Sequence, residues 1–214
     1  YARKLFQRFF KGSENEEENL VKSAKDAVLK AFEDSVQVKK SFLKENLDTL
    51  LTVIDVIAQA FLQGNKLLLF GNGGSAADAQ HLAAEFVNRF RIERPPLPAL
   101  ALTTDTSTIT SIANDYDYKE IFAKQVKALG KEGDVALAIS TSGNSANVLT
   151  AIDACRKLKI ITIGLTGAEG GKMSRRVDHL LRVSKGKNTA RIQETHILIG
   201  HVICEMVDLK IFSA

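Results

Sequence analysis

Apolar and polar residues follow two different patterns along this 214-residue chain. In its first third, apolar side chains recur every three or four positions, which is typical of amphipathic helices. We predict one helix over residues 20–32 and a second over 43–62, with Gly64 placed to end the second. Ser13, with Glu16 three residues later, forms a capping-box pattern that favours a helix N-terminus there.

Beyond Gly64 the pattern changes to short runs that are apolar on both faces and alternate with helical stretches. Such runs are typical of buried parallel strands joined by crossover helices. They predict an α/β fold, an open sheet of about five parallel strands flanked by helices and preceded by the helical pair. Because no repeat or linker divides the sequence, we predict a single domain over residues 1–214, with 1–19 as a partly disordered extension. The predicted strands are 66–70, 98–103, 134–140, 160–166 and 179–183.

Composition narrows the possible partners. The net charge is +4, from 29 basic and 25 acidic residues, a mild excess that suits a phosphorylated metabolite better than nucleic acid. No apolar run approaches the ~18 residues of a membrane span, although the basic, aromatic residues 1–12 leave a membrane-surface helix as an alternative to ordinary packing. Cys155 and Cys204 lie far apart without metal-binding spacing, which indicates reduced thiols in a cytoplasmic protein.

A cluster of hydroxyl groups follows the third predicted strand. Ser140, Thr141, Ser142 and Ser145 surround Gly143 and precede a predicted helix. In α/β sheets ligands sit beyond the carboxyl ends of the strands, and the free N–H groups of a helix start attract phosphate. The segment contains no lysine and no nucleoside-triphosphate motif. It therefore predicts either a phosphate-binding loop or an ordinary Ser/Thr-rich turn.

The glycine-rich turn after the first predicted strand, "GNGGS" (71–75), lacks the spacing of a dinucleotide-binding motif. Its glycines allow a ligand to approach the backbone, and the side chains of Asn72 and Ser75 can hydrogen-bond to hydroxyl groups. A sugar fits this turn as well as a phosphate does, and a simple strand-to-helix turn is the alternative.

The helix after that turn carries a polar stripe that includes His81 and Glu85, which are four residues apart and therefore neighbours on the helix surface. Most such stripes are solvated, but this one begins at the ligand-binding edge of the predicted sheet. On the last predicted helix, Gln193 and His201 are eight positions apart, about 12 Å along the axis, so one ion could reach both only if both side chains extend. We interpret His196 and the remaining histidine, His179, as core residues.

Six segments together resemble one known family. They are "GNGGSAADAQHLAAEF", "ERPPLPALAL", "SIANDYDYKEIF", "GDVALAISTSGNSANVL", "LTGAEGGKM" and "ARIQETHILIGHVICEMVD", and they span roughly residues 20–210. The chain resembles the SIS (sugar isomerase) domain, and within it the phosphoheptose isomerases. This resemblance implies a cytoplasmic homotetramer with active sites between subunits. It also implies conversion of D-sedoheptulose 7-phosphate into D-glycero-D-manno-heptose 7-phosphate for bacterial surface polysaccharides such as lipopolysaccharide.

The resemblance also implies a role for particular residues. A zinc ion, one per subunit, would be bound by His81, Glu85, Gln193 and His201, with Glu85 and His201 acting as the acid–base pair. Moving a carbonyl between C1 and C2 through an enediol requires a base at carbon and a second group at the oxygens, for which a carboxylate and an imidazole are suited. The substrate-binding residues implied are Asn72, Gly73, Gly74, Ser75, Glu85, Asn114, Asp115, Ser140, Thr141, Ser142, Ser145 and Gln193.

A second SIS branch, a non-catalytic adaptor that binds the bacterial replication initiator, resembles the body of the chain nearly as well. Such adaptors keep the serine loop but typically lack the glutamate and the distal histidine, so the presence of Glu85 and His201 favours the enzyme. A sugar-phosphate-sensing regulator would add a DNA-binding module, for which we find no spare domain in the sequence.

Overall fold

A computed structural model describes residues 14–212, with side chains from residue 22 onward. The chain divides into two compact units, residues 1–37 and 38–214. Residues 1–13, including the basic opening and the serine of the predicted capping box, lie outside the described part. The single domain therefore stays a prediction.

The predicted N-terminal helical pair is wrong in one respect, because both helices belong to one continuous helix, α1 (Glu14–Leu62). The segment 33–42 that joins them contains no glycine or proline, so nothing in the backbone breaks the helix there. Within the first unit, Phe32 exposes 72% of its surface, and Lys30 pairs with Asp34 one turn later.

Five parallel strands form the sheet of the second unit, in the order β2-β1-β3-β4-β5, which confirms the predicted strands and fold class. Register places Leu67 opposite Val135, and Val135 opposite Ile161. None of the helices described in residues 14–212 combines the length and apolar character needed to cross a membrane. In chain order, the elements after α1 are β1 (Leu67–Gly71), α2 (Gly74–Val87), β2 (Ala99–Ala101), α3 (Thr106–Asp115), a 3-10 turn (Tyr118–Glu120), α4 (Ile121–Leu129), β3 (Val135–Ser140), α5 (Ala146–Lys157), β4 (Ile161–Gly167), a second 3-10 turn (Gly171–Arg175), β5 (His179–Val183) and α6 (Thr189–Phe212).

Helices cover both faces of this sheet because successive strand residues point to opposite sides. Leu67 and Leu69 pack into one apolar cluster with the second half of α1, α2 and α6. Leu68 and Phe70 pack into the other cluster, with α4 and α5. Both faces are therefore dry, as a parallel sheet requires.

The strand order creates a crevice at the carboxyl edge of the sheet. The chain leaves β1 toward β2 on one side, while β3 lies on the other side of β1. Connections that depart in opposite directions open a gap between the ends of β1 and β3, where ligands bind in folds of this type. The loops at this gap are the glycine turn 71–75 and the serine loop 140–145.

Candidate active site

Gly73 and Gly74 shape the turn that leads from β1 into α2. Gly73 has a φ of 55°, in the left-handed region that glycine adopts without strain. At Gly74 a Cβ atom would lie 2.3 Å from Nε2 of Gln193, so a side chain there would displace the Gln193 amide of α6. The fold thus brings the glycine turn against Gln193, 119 residues away in the sequence.

Helices α2 and α6 bring the two candidate histidines together. Nε2 of His81 lies 2.8 Å from Nε2 of His201, with the rings at 73° to each other. Oε1 of Glu85 lies 3.4 Å from the same His81 nitrogen. On the other side of His201, the ring of Phe90 stacks at 5.5 Å between centroids. A carboxylate and two imidazoles therefore converge, in an arrangement that only the family resemblance implied.

The distance between the histidines bears on whether they fit a zinc ion. Two imidazole nitrogens at 2.8 Å share a hydrogen bond, in which one ring donates its Nε2 proton and the other accepts. Nitrogens that bind one tetrahedral zinc at 2.0–2.1 Å lie about 3.3 Å apart, so the rings would need to separate by about half an ångström. Across the part of the chain that the structure describes, no three His, Cys, Asp or Glu side chains are arranged to hold a metal. The donor types suit zinc, while their arrangement is that of a hydrogen-bonded pair.

Asp78 lies one turn before His81 on α2, and one of its carboxylate oxygens is buried without a hydrogen-bond partner. Burial raises the pKa of Asp78 to about 6, and the nearby His81 opposes this rise. Solvent exposure therefore varies along the polar stripe, since Asp78 and Glu85 are half-buried while His81 is exposed.

The serine loop turns sharply over the end of β4. Gly143 has a φ of 64°, and a Cβ there would lie 2.0 Å from the carbonyl oxygen of Gly170. The hydroxyl groups of Ser140 and Ser145 lie 3.0 Å apart, at the point where α5 begins. A helix N-terminus that also has converging hydroxyl groups can hold a phosphate through N–H and O–H donors.

Two predicted substrate-binding residues take no part in the contacts described above. Asn114 and Asp115 end α3 with exposed side chains, and the Asn114 amide donates to the Asp115 carboxylate at 2.9 Å. In the described residues no hydrogen bond links this pair to the glycine turn, the histidines or the serine loop. Ser75 is buried inside the glycine turn, at 4% exposure.

Comparison with known proteins identifies the family. The family model of the SIS domain matches residues 10–167. The phosphoheptose isomerase of Thermodesulfovibrio yellowstonii is 52% identical over 188 residues, which cover 88% of this chain and 93% of that protein. Solved structures of phosphoheptose isomerases from Neisseria gonorrhoeae and Francisella tularensis match with TM-scores of 0.81 and 0.83, at 43% and 40% identity. Each comparison covers 86% of this chain and 98% of the other.

This chain belongs to the phosphoheptose isomerase family. The resemblance drawn from the sequence motifs is thereby confirmed, and with it the assignment as an isomerase. The roles of individual site residues stay predictions.

The histidines and cysteines outside the site of this phosphoheptose isomerase family member mostly match their interpretation. His196 is fully buried, donates from Nε2 to the Thr166 carbonyl at 3.1 Å, and has a pKa lowered to about 4 by burial. His179 begins β5 and is only half-buried. Both cysteines are free and buried, and burial raises the pKa of the Cys155 thiol to about 12.

Sequence reasoning missed two residues that contact the glycine turn. The side chains of Asn147, in α5, and Tyr118, in the first 3-10 turn, both hydrogen-bond to Asn72. Each lies inside a family motif, which is the signal that could have found them. Their contact with Asn72 depends on loop geometry that spacing does not encode.

Proposed function

We propose that this chain is an aldose–ketose isomerase that converts D-sedoheptulose 7-phosphate into D-glycero-D-manno-heptose 7-phosphate. The observation that carries the proposal is the convergence of His81, Glu85 and His201 on two neighbouring helices, of which α2 begins from the glycine turn at the crevice edge of the sheet. The serine loop lies at the same edge and supplies donors for the phosphate. The family relationship supports the same substrate class.

In the proposed reaction, the serine loop holds the phosphate and thereby positions the other end of the sugar. Glu85 removes a proton from C1 of the ketose, giving an enediolate, and returns a proton to C2. His201 donates a proton to the oxygen on C2 and removes one from the oxygen on C1, so that no atom is gained or lost. A carboxylate and an imidazole divide these proton transfers because one serves carbon and the other serves oxygen.

We also propose a zinc ion, one per subunit, held by His81, Glu85, Gln193 and His201. Imidazole nitrogen and carboxylate oxygen are ligands that zinc prefers, and His81, Glu85 and His201 would bind one ion once the two Nε2 atoms separate by about half an ångström. When bound, the ion would polarise the substrate carbonyl. Glu85 would then be a weaker base, so its two roles compete.

The function is tested by incubating the protein with sedoheptulose 7-phosphate, with and without chelator, and measuring the aldoheptose phosphate. Glu85→Gln and His201→Ala should each lower kcat by about 100-fold or more, the usual contribution of a positioned acid or base. His179→Ala, away from the crevice, is the matched control and should turn over normally. Near-normal turnover by both site variants would refute the assignment. Absence of turnover under every metal condition, together with binding to the replication initiator, would favour the adaptor.

A cytoplasmic homotetramer with active sites between subunits completes the proposal. Within the second unit, Leu43, Leu47 and Leu51 follow one another at four-residue spacing on α1, and each exposes about half of its surface. A row of exposed leucines on one helix face favours burial against another subunit. Light scattering should give four times the chain mass, and a monomer would refute this part. The product would serve a bacterial surface polysaccharide.

A further inference from the structure

Three segments of the chain meet at the side chain of Asn72. Asn72 lies in the glycine turn after β1, Asn147 lies in the first turn of α5, and Tyr118 lies beyond α3. The two asparagine amides exchange hydrogen bonds of 2.9 and 2.8 Å, and the Tyr118 hydroxyl lies 3.2 Å from Oδ1 of Asn72. Asn147 is 3% exposed, whereas Tyr118 is 57% exposed.

One backbone group fixes the orientation of both amides. The N–H of Val148 faces the Asn147 side chain at 2.9 Å and can only donate, so the atom that it meets is the carbonyl oxygen of Asn147. The amide nitrogen of Asn147 must then donate to Oδ1 of Asn72, and Nδ2 of Asn72 must donate to Oδ1 of Asn147. Neither amide can be flipped without opposing two donors or two acceptors.

The same donor and acceptor roles determine which atoms of Asn72 and Tyr118 a ligand meets. Oδ1 of Asn72 can only accept a hydrogen bond, so the Tyr118 hydroxyl must donate its single proton to this oxygen. With Asn147 and Tyr118 bound, both lone pairs of that oxygen are used. Among the described residues, one N–H of Asn72 and the lone pairs of the Tyr118 oxygen have no partner.

We propose that Tyr118 is a sugar-contacting residue of this active site and that Asn147 is the residue that positions Asn72. Asn72 then offers a donor to an oxygen of the sugar chain, and Tyr118 offers an acceptor to a sugar hydroxyl. This inference deepens the proposed isomerase function and rests on it. It names the side of the crevice that recognises the polyhydroxyl chain.

The acceptor character of the Tyr118 hydroxyl oxygen distinguishes this sugar side of the crevice from the phosphate side. A hydroxyl whose proton is already donated presents a lone pair, which repels the oxygens of a phosphate dianion and attracts an O–H donor. Phosphate therefore belongs to the serine loop, and Tyr118 should influence the sugar without influencing inorganic phosphate.

The test compares Tyr118→Phe with Tyr116→Phe. Tyr116 lies two residues away, is 66% exposed, and has its ring against the Lys124 ammonium, a contact that phenylalanine retains. Tyr118→Phe should raise KM for sedoheptulose 7-phosphate about fivefold, since one hydrogen bond contributes about 1 kcal/mol, while the Ki of inorganic phosphate stays within twofold. Tyr116→Phe should match the wild type in both constants.

Asn147→Ser tests the positioning role in the same assay, with the double variant completing a cycle. Serine can still accept from the Val148 N–H but is too short to hold Asn72. Asn147→Ser should raise KM at least as much as Tyr118→Phe does. In its background, Tyr118→Phe should have less than half of its effect, because Asn72 orients the Tyr118 hydroxyl and is no longer held in place once Asn147 is replaced.

The outcomes separate this inference from the function on which it rests. Normal wild-type turnover with an unchanged KM in Tyr118→Phe, or with an equal rise in the Ki of phosphate, overturns the sugar-contact role alone. Additive effects in the cycle overturn the positioning role of Asn147. A wild type that neither converts sedoheptulose 7-phosphate nor binds it in calorimetry overturns both this inference and the proposed function.

Discussion

Gly200→Ala should separate the two helices that carry the candidate acid–base residues. Gly200 faces Leu82 where α6 meets α2, and a Cβ there would lie 2.5 Å from both terminal carbons of Leu82. Carbon atoms pack best at about 3.5–4.0 Å, so the shortfall is about 1 Å. Leu82 is 1% exposed, and because buried side chains are close-packed we expect the helices to shift rather than the leucine. The adjacent pair, His81 and His201, would then move apart by a similar distance.

The effect on stability should be small beside the effect on activity. Replacing glycine by alanine in a helix interior gains about 1 kcal/mol, and overpacking a core costs about 1–3 kcal/mol. The free energy of unfolding should therefore fall by about 1 kcal/mol. A displacement of about 1 Å at a catalytic constellation lowers the rate by about 100-fold, so kcat/KM should fall by that factor.

Two measurements on four proteins check this reasoning, namely kcat/KM for sedoheptulose 7-phosphate and the midpoint of thermal unfolding. Leu198→Ala, at an exposed position on the same helix, is the control and should leave both quantities nearly unchanged. Adding Leu82→Val to Gly200→Ala removes one carbon from the collision and should recover part of the activity. A Gly200→Ala protein with kcat/KM within twofold of wild type would refute the account of the helix contact.

Two further predictions concern buried polar groups. The pKa of His196 is lowered to about 4 from an ordinary value near 6.5, so below pH 6.5 the unfolded chain binds a proton that the folded chain refuses. The free energy of unfolding should therefore fall by up to about 3 kcal/mol as the pH drops from 6.5 to 4. Urea titrations across this range should show a flatter pH dependence for His196→Gln than for the wild type. Parallel pH curves for the two proteins would contradict the prediction. Arg94 binds Asp208 at 2.7 Å, with the two side chains only 1% and 3% exposed, and donates to the carbonyls of Glu85 and Phe86. Arg94→Met should lower the free energy of unfolding by about 3–5 kcal/mol in denaturant titrations. Arg91→Met, which breaks the exposed pair with Glu205, should lower it by less than about 1 kcal/mol. Equal losses of stability in the two variants would count against the role of burial.

The sheet could be predicted from the sequence because its signal is local. Each of the five strands lies in a run that is apolar on both faces, and burial between two helix layers demands such runs. The break predicted within α1 was wrong because an uneven apolar pattern was treated as two helices, although the backbone of residues 33–42 has no helix-breaking residue.

The candidate site was only partly accessible to such reasoning. The pairing of His81 with Glu85 follows from four-residue spacing on one helix, whereas His201 is 120 positions away and was joined to them by family resemblance. The amide pair of Asn72 and Asn147 spans 75 residues and joins the glycine turn to the first turn of α5, and no periodicity reports a contact of that kind. Residue spacing predicts which side chains are neighbours within one helix or strand, whereas contacts between distant segments depend on tertiary packing.

Two glycine contacts, Gly74 with Gln193 and Gly200 with Leu82, also determine which sequence changes this family member can tolerate. Each residue inserted into a helix turns everything beyond it by about 100°. One residue added to α6 between Gln193 and Gly200 would leave the amino-acid composition of the helix almost unchanged but would turn His201 away from His81. Variation in this segment should therefore consist of substitutions, with insertions and deletions confined to the loops.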